Sequence, residues 1–486
     1  MYGQNSNFTA ALAPDTLLLR LFRLNDPYRL GLVLLIMLGL RLPFWLTDVP
    51  GTWHEQHWLL LGERLGNGAA MYSDMWDTTG PLPVLIYSVL HSLFGKSALA
   101  HQIVALLLVF IQATLFNTTL LARKAYNENT YIPGLIYGLL ASWYFDFYTL
   151  SPLLIGLTFA WLAFHQLFRH LQSRVKADEA ILLMGMMLGL AVLCYQPFVL
   201  LLIPMFLALG FFSNTVGRRY MLIIYGLMLP FMLSGVYYFT VGSFNDFVRF
   251  YLIKPFTLGQ HAYVAWDLVG SLTALPILML MLAIFRVVSY PRFVNYQNRL
   301  QQIMLVWLLV SVIMFLQSHH RSAFHLLVFV PPMAFFFSHY VLLFRKRRWG
   351  EVTFWVIFLP ILVVNLNVIR QWFSFLPGPE SVQVSAAPMP DHLKNRSMWV
   401  VGEYPEYYQH ARSLGTAFYN WHLAADLVLQ QNTYAEILEL QAMVEHPLPE
   451  VVVDPEKHFA KLLQHYPEWK AVYSRVPNTD FWEYRP

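Results

Sequence analysis

The residues best suited to chemistry stand together after the first long apolar run. The stretch begins Trp53-His-Glu-Gln-His and has helical periodicity, so Glu55 is expected in the first turn of a helix. A carboxylate there can act as a general base, or it can simply stabilise the helix N-terminus, where negative charge is favoured. Both interpretations stay open. His54 and His57 lack the His-x-x-x-His spacing of zinc-binding helices, so no dedicated metal site is predicted.

Two further acids and a few basic residues complete the set of candidates. Asp74 and Asp77 follow Glu55 in the same stretch, whereas Lys254, His320 and Arg321 lie in later segments between apolar runs. An isolated arginine at a membrane surface is often an interfacial anchor. A guanidinium can also bind phosphate through two parallel hydrogen bonds, which makes Arg321 the first candidate for an anion site. Lys254 is the weaker one.

The composition requires these residues to be positioned by a membrane protein. Of the 486 residues, 57% are hydrophobic and only 12% are charged, and the mean hydropathy is +0.47. Soluble domains carry roughly 25% charged residues. Collagen, disordered chains, disulfide scaffolds and nucleic-acid binders are therefore excluded. The fold class predicted is a polytopic α-helical membrane protein with a small C-terminal α/β soluble domain.

Apolar windows long enough to cross the hydrocarbon core recur along the first three quarters of the chain. They predict about eleven transmembrane helices, with an uncertainty of one or two where helices are paired through tight turns such as residues 146–151 and 195–197. The predicted ranges are 31–47, 98–121, 131–147, 150–168, 180–195, 197–213, 220–241, 266–287, 300–317, 322–343 and 352–369.

The distribution of Lys and Arg predicts the orientation of these helices. With a cytoplasmic N-terminus, the cytoplasmic helix ends hold 17 basic residues and the opposite ends hold six. Basic residues accumulate on the cytoplasmic side of membrane proteins. We therefore expect an inner-membrane protein with a cytoplasmic N-terminus and an extracytoplasmic C-terminal domain.

The chain divides into a membrane domain, residues 1–375, and a soluble domain, residues 376–486. The membrane domain has two long outside loops, 48–96 and 241–267, whose aromatic content favours short helices at the membrane surface. A plain structural cap remains the alternative for both loops. The soluble domain carries 8 Lys/Arg and 14 Asp/Glu, a net charge of −6, and its strand-like runs alternate with helical patterns. It is interpreted as a binding or docking module.

These motifs, taken in order, resemble the GT-C superfamily of polytopic glycosyltransferases, which includes the lipid A aminoarabinose transferases and the protein O-mannosyltransferases. The likeness begins with an acidic position above the first span and a spaced motif in the first loop. It continues in a Gly-rich span and in an Arg/His pattern before two prolines. The matching positions are Gly68, Tyr72, Asp74, Asp77, Pro81 and Leu82, then Gly185 to Pro197, and Arg321 to His325 with Val330-Pro-Pro332.

The resemblance implies transfer of a sugar from a polyprenyl-phosphate carrier to a glycan, lipid or protein acceptor at the extracytoplasmic face. It implies that Glu55 is the base, with Asp48 as the alternative, and that Asp74 or Asp77 orients the acceptor or a metal. Arg321, His320 and Lys254 would bind the lipid phosphate. The resemblance thus implies catalytic roles for Glu55, Asp74 and Asp77 and donor-binding roles for Arg321, His320 and Lys254. Some relatives use a divalent cation, so the resemblance leaves one open.

One position departs from the family pattern. Members generally have an Asp, often Asp-Glu, where this chain has His54-Glu55, so Glu55 is the only carboxylate there. The alternative function is therefore a non-catalytic GT-C-like scaffold subunit of an envelope or secretion complex, with the C-terminal domain recruiting a protein partner. A transporter is disfavoured because intramembrane charges are nearly absent and the two halves show no evident repeat.

Overall fold

The long apolar runs form helices, because a helix satisfies its own backbone hydrogen bonds where no water is present. The computed structural model describes residues 18–47, 51–172, 178–213, 217–257, 261–262, 264–290, 293–318, 320–374, 387–430, 433–444, 448–477 and 479–485. The helices up to residue 370 are α1 (Leu18–Arg23), α2 (Arg29–Leu46), α3 (Trp53–Gly66), α4 (Pro81–Phe94), α5 (Ala98–Ala122), α6 (Ile132–Leu140), α7 (Pro152–Gln172), α8 (Asp178–Cys194), α9 (Leu202–Phe212), α10 (Gly217–Val241), α11 (Trp266–Val288), α12 (Asn295–Leu316), α13 (Val330–Leu342) and α14 (Arg347–Arg370).

Shorter helical segments of other types connect these helices. A single turn at Phe244–Asp246 continues as the π-helix Phe247–Ile253 in the second long loop. The 3-10 segments are Phe145–Tyr148, Gln196–Leu201, Lys254–Phe256 and Ala323–Phe329.

Ten of the eleven predicted ranges coincide with a continuous helical segment. The range 131–147 does not, because it is helical at Ile132–Leu140 and in the 3-10 turn Phe145–Tyr148 but not between them. Among the described residues, seven helices are long and apolar enough to cross a membrane, namely Arg29–Leu46, Ala98–Ala122, Gly217–Val241, Trp266–Val288, Asn295–Leu316, Ala323–Leu342 and Arg348–Arg370. The remaining four ranges contain α6 to α9. The polytopic helical fold is confirmed, and the count of eleven crossings stays a prediction.

The helices α8 and α10 approach each other closely through glycine. A Cβ atom at Gly189 would lie 2.5 Å from the carbonyl oxygen of Leu227, and one at Gly185 would lie 2.3 Å from that of Ile223. On the facing helix, a Cβ at Gly226 would lie 2.4 Å from the carbonyl oxygen of Leu182. Small residues let membrane helices pack backbone to backbone. The Gly-rich span is therefore a packing surface.

Replacing Gly189 with Ala is expected to destabilise the helical bundle. The new methyl group would overlap the Leu227 carbonyl, so α8 and α10 must separate, which destabilises a packed core by about 1–3 kcal/mol. The measurement is thermal unfolding of the detergent-solubilised protein. Gly39→Ala is the matched control, since its Cβ would meet no heavy atom within 4 Å. Equal melting temperatures for the two variants would contradict the tight contact.

Short strands occur in two places. The pair β1 (His261–Ala262) and β2 (His320–Arg321) is parallel and joins the second long loop to the segment before Ala323. The C-terminal region has a five-stranded sheet in the order β4-β3-β5-β7-β6, with β3 parallel to β4 and β5, and β7 antiparallel to β5 and β6. Its elements are β3 (Ser397–Val400), β4 (Ser413–Leu414), β5 (Val451–Val453), β6 (Tyr473–Arg475), β7 (Phe481–Tyr484), α15 (Trp421–Leu429), α16 (Tyr434–Val444), α17 (His458–Leu462) and α18 (Pro467–Val472).

The C-terminal region contacts the first long loop through residues 414–419, which we call the docking segment. The backbone N–H of Trp76 donates to the carbonyl of Ala417 at 3.1 Å, and the Trp76 ring meets Phe418 edge to face, with centroids 5.1 Å apart. Arg64 donates to the carbonyl of the first residue in the segment at 2.8 Å. The C-terminal sheet is thus packed directly on the loop that carries Glu55.

Candidate active site

Glu55 lies in the first turn of α3, as predicted, but it is not the residue that caps this helix. The hydroxyl of Thr52 accepts a hydrogen bond from the backbone N–H of Glu55 at 3.3 Å and forms the cap. The Glu55 side chain instead reaches α5, where the amide of Gln102 donates to its Oε1 at 2.8 Å. Only 2% of Glu55 is exposed. Its carboxyl group is therefore held between helices.

The environment of Glu55 raises its pKa into the neutral range. Burial raises the pKa of Glu55 from 4.5 to about 7; the hydrogen bond from Gln102 opposes this rise, and the nearby carboxyl group of Asp146 adds to it. A general base is most effective when its pKa lies near the working pH. Glu55 therefore has the properties of an acid–base group.

Asp146 is a functional candidate that the sequence analysis missed. It lies in the 3-10 turn between α6 and α7 and is completely buried. Its Oδ2 accepts a hydrogen bond from the backbone N–H of Phe324 at 2.8 Å, while Oδ1 has no hydrogen-bond partner among the described residues. Asp146 thus joins the vicinity of Glu55 to the segment that follows Arg321. Its sequence signal is that it is the only charged residue from Tyr131 to Phe168.

Arg41, which lies inside the first predicted span, belongs to the same polar cluster. It is completely buried in α2, and its Nη1 donates to the carbonyl of Gln102 at 3.1 Å. Its guanidinium also lies over the ring of Tyr148, with 4.6 Å from Cζ to the centroid. Nε and Nη2 have no hydrogen-bond partner among the described residues. Gln102 therefore stands between a buried cation and the carboxyl group of Glu55.

His54 connects α3 to the segment that begins at Arg321. Its Nε2 forms a hydrogen bond with the hydroxyl of Ser322, and its ring meets the ring of Phe324 edge to face, with centroids 5.1 Å apart. The backbone N–H of Ser322 is in turn paired with Nδ1 of His325 at 3.1 Å. His54 thus holds the 322–325 segment beside Glu55.

Arg321 is buried at the start of that segment. Its guanidinium lies over the indole ring of Trp266, with 4.1 Å from Cζ to the centroid, and its Nε has no hydrogen-bond partner among the described residues. Because Asp146 and His54 both hold residues 322–324, Arg321 is joined to the surroundings of Glu55 through the chain that follows it. No carboxylate lies within ion-pair distance of its guanidinium in the described part of the chain.

The other predicted donor-binding residues are less informative. Lys254 begins a 3-10 turn after the π-helix and is half-buried. The backbone of His320 pairs in β2, and its side chain lies outside the described residues, as does the whole of Asp48.

Asp77 forms a separate cluster on the other side of α3. Its Oδ2 lies 2.8 Å from Nε2 of His57, and its Oδ1 accepts from the backbone N–H of Thr79 at 2.6 Å. Burial alone would raise the pKa of Asp77, but His57 and the Thr79 hydrogen bonds outweigh it and hold the pKa below its usual value. Residues two apart in a helix do not share a face. Glu55 and His57 therefore serve different surroundings.

Asp74 lies on the surface. Its Oδ2 accepts from the backbone N–H of Ala70 at 2.8 Å, which closes a turn in the first loop. Asp77, by contrast, is buried with His57, whose ring lies against Tyr419 of the docking segment at 4.7 Å between centroids. Of the two predicted acids, Asp77 is thus the one built into the loop.

Within the described ranges, no group of three or more His, Cys, Asp or Glu side chains is placed to hold a metal ion. Glu55 and Asp146 are two neighbouring carboxylates without such a third ligand.

The stability of the protein is expected to fall as pH rises through the range set by Glu55. Because the folded-state pKa is about 7 against 4.5 for the ordinary group, the folded protein retains a proton that the unfolded chain releases. Glu55→Gln removes this effect, so the variant should gain about 3 kcal/mol relative to wild type between pH 5 and pH 8. Melting temperatures at the two pH values test this. A difference that does not change with pH would contradict the raised pKa.

Known structures share this architecture. A structure of ArnT from Cupriavidus metallidurans bound to undecaprenyl phosphate aligns with a TM-score of 0.53 and 12% identity, over 90% of this chain and 93% of that chain. The same protein in the apo state gives a TM-score of 0.52 with the same identity and coverage. The oligosaccharyltransferase AglB from Archaeoglobus fulgidus, in complex with an inhibitory peptide and a dolichol-phosphate, gives 0.46 at 12% identity over 94% and 74%.

The two alignments with ArnT confirm the predicted fold. The chain shares the fold of that membrane protein over most of its length, and its C-terminal region contains a small sheet. No family model matches the chain, and no curated protein matches it.

Proposed function

We propose that this chain is an integral-membrane glycosyltransferase of GT-C type. It transfers a sugar from a polyprenyl-phosphate carrier to a glycan, lipid or protein acceptor on the extracytoplasmic face of the inner membrane. The observation that supports this most directly is the buried Glu55, with a pKa raised to about 7, beside Asp146 and the segment that carries Arg321.

In the proposed reaction, Glu55 removes the proton from the acceptor, and Arg321 stabilises the negative charge on the leaving phosphate. The ionised carboxylate of Glu55 takes the proton from an acceptor hydroxyl or amine as that atom attacks the sugar. The bond between the sugar carbon and the phosphate oxygen breaks, and the electron pair leaves with the lipid phosphate. Arg321 stabilises the charge that develops there, because a guanidinium donates two hydrogen bonds to phosphate oxygens.

The remaining acids have supporting roles in this proposal. Asp146 supplies the second carboxylate beside Glu55. The resemblance assigned that role, orienting the acceptor or a metal, to Asp74 or Asp77. Asp77 holds the first loop through His57. The cytoplasmic N-terminus and the extracytoplasmic C-terminal region follow from the distribution of basic residues.

The fold adds support without deciding the function, since one fold can serve several chemistries. ArnT, which has a similar architecture, has been seen bound to undecaprenyl phosphate. A lipid-linked phosphate is also the donor chemistry that fits Arg321, a buried guanidinium without a carboxylate partner among the described residues.

A non-catalytic scaffold is the second candidate. One observation favours it. His54 stands where members of the resembled family generally have an acid, and its side chain is hydrogen-bonded to Ser322. In this alternative the C-terminal region recruits a protein partner in an envelope complex, and the buried polar cluster only stabilises the fold.

The decisive experiment supplies the purified full-length protein with radiolabelled polyprenyl-phosphate sugars and a panel of glycan, lipid and peptide acceptors. Transfer of label by the wild type supports the enzyme. No transfer from any donor, together with stable co-purification of envelope proteins, would favour the scaffold.

A further inference from the structure

The guanidinium of Arg321 has no polar partner in the described part of the chain. Only 7% of the residue is exposed, yet its side chain forms no hydrogen bond or ion pair with a described residue. Its guanidinium lies over the face of the Trp266 ring, with 4.1 Å from Cζ to the ring centroid. A buried cation normally requires compensating partners. The arrangement is therefore that of a site whose anion comes from outside the protein.

Stacking and hydrogen bonding use different parts of a guanidinium. An aromatic ring covers its face, whereas the N–H donors lie in its plane and point away from the ring. Arg321 can therefore remain stacked on Trp266 while its edge binds two phosphate oxygens. The indole also keeps the guanidinium in one orientation before the ligand arrives.

Trp266 connects this cation to the lipid. It is the first residue of α11, which is apolar and long enough to cross the membrane, and 57% of it is exposed. Tryptophan concentrates at the level of the lipid headgroups. The chain just before it is tied to Arg321, because the backbone N–H of Val264 donates to the Arg321 carbonyl at 3.2 Å. One side of the indole thus covers the cation, and a large part of the ring is left uncovered by protein.

We propose that Trp266 determines the specificity of the donor-lipid site. Arg321 binds the phosphate, and the first isoprenyl units of the carrier pack against the uncovered part of the Trp266 ring. The site therefore selects a lipid-linked phosphate over free inorganic phosphate. This inference rests on the proposed function, because that function makes a polyprenyl phosphate the carrier.

The test measures equilibrium binding to the full-length protein in nanodiscs, with two radiolabelled probes, undecaprenyl phosphate and inorganic phosphate. Trp266→Ala should weaken binding of undecaprenyl phosphate about tenfold, equivalent to about 1.4 kcal/mol. Binding of inorganic phosphate should change less than about twofold by the same reasoning. Trp266→Phe should recover most of the affinity because it keeps an aromatic face. Trp349→Ala is the matched control, since Trp349 in α14 is 58% exposed, and it should bind both probes like the wild type.

Three results would overturn the inference. Trp266→Ala could bind undecaprenyl phosphate as tightly as the wild type, or lose affinity for both probes by the same factor. The wild type could also bind neither probe. Because binding is measured without sugar transfer, the two proposals can fail separately. A wild type that binds undecaprenyl phosphate through Trp266 but transfers no sugar would leave this inference standing and overturn the proposed function.

Discussion

A Glu55→Gln protein is expected to fold, to bind the donor lipid and to transfer sugar about 10²–10⁴ times more slowly than the wild type. The amide cannot accept the acceptor's proton. It can still accept the hydrogen bond that Gln102 donates at 2.8 Å, so the packing between α3 and α5 is retained. The measurement is the initial rate of label transfer from a polyprenyl-phosphate sugar at saturating donor.

The control for this variant is Glu128→Gln, which removes an exposed carboxylate that pairs with Arg23 at 3.3 Å. It should transfer sugar at the wild-type rate. Glu55→Asp should retain part of the activity, because a carboxylate is still present on a shorter side chain. If a folded Glu55→Gln protein kept the wild-type rate of transfer, Glu55 would not be the base.

Removing the guanidinium of Arg321 is expected to have the second-largest effect. Arg321→Ala should lower kcat/KM about 10²–10³-fold, because the charge on the leaving phosphate loses its donor pair. The kcat/KM of Arg321→Lys should lie between those of the wild type and Arg321→Ala, because lysine keeps the charge but not the paired donors. Steady-state rates over a range of donor concentrations separate the change in KM from the change in kcat.

Arg218→Ala serves as the control for charge removal. Arg218 is exposed, and its Nη2 lies 3.2 Å from Oδ2 of Asp178 at the start of α8. Both residues are far along the chain from the candidate site. It should transfer sugar at the wild-type rate. An Arg321→Ala protein with the donor KM and kcat of the wild type would remove Arg321 from the mechanism.

The helical part of the fold was predictable because apolar runs of sufficient length have one stable arrangement in a bilayer. The run at 98–121, for example, becomes Ala98–Ala122. In the C-terminal region, Val451–Val453 was predicted because a strand buried on both faces is uniformly apolar. The two-residue strand Ser413–Leu414 was not, since nothing local distinguishes it from a loop and only its pairing with β3 defines it.

The candidate site was predictable only in part. Glu55 and Arg321 stood out because charged residues are rare in this chain and both follow apolar runs. Asp146 was overlooked because it was interpreted as part of a tight turn, although an ionisable residue within an apolar region is a functional candidate by default. Its link to Phe324 spans 178 residues, and contacts of that range leave no local pattern in the sequence.

The role of His54 could not be derived from its position either. The resemblance indicated only that this position departs from the family pattern, which raised the possibility of lost activity. Its hydrogen bond to Ser322 depends on how α3 faces a segment 268 residues away. The substitution therefore has a physical role in the fold, whatever the chemistry of Glu55.

The docking segment has a practical consequence for inhibition. Tyr419 covers His57, and Ala417 and Phe418 hold Trp76, all in the loop that presents Glu55. A nanobody that recognises the far surface of the C-terminal sheet and pulls it away would uncover these rings and loosen the loop. Inhibitors of this protein can accordingly be raised against its C-terminal region, without any compound having to enter the bilayer.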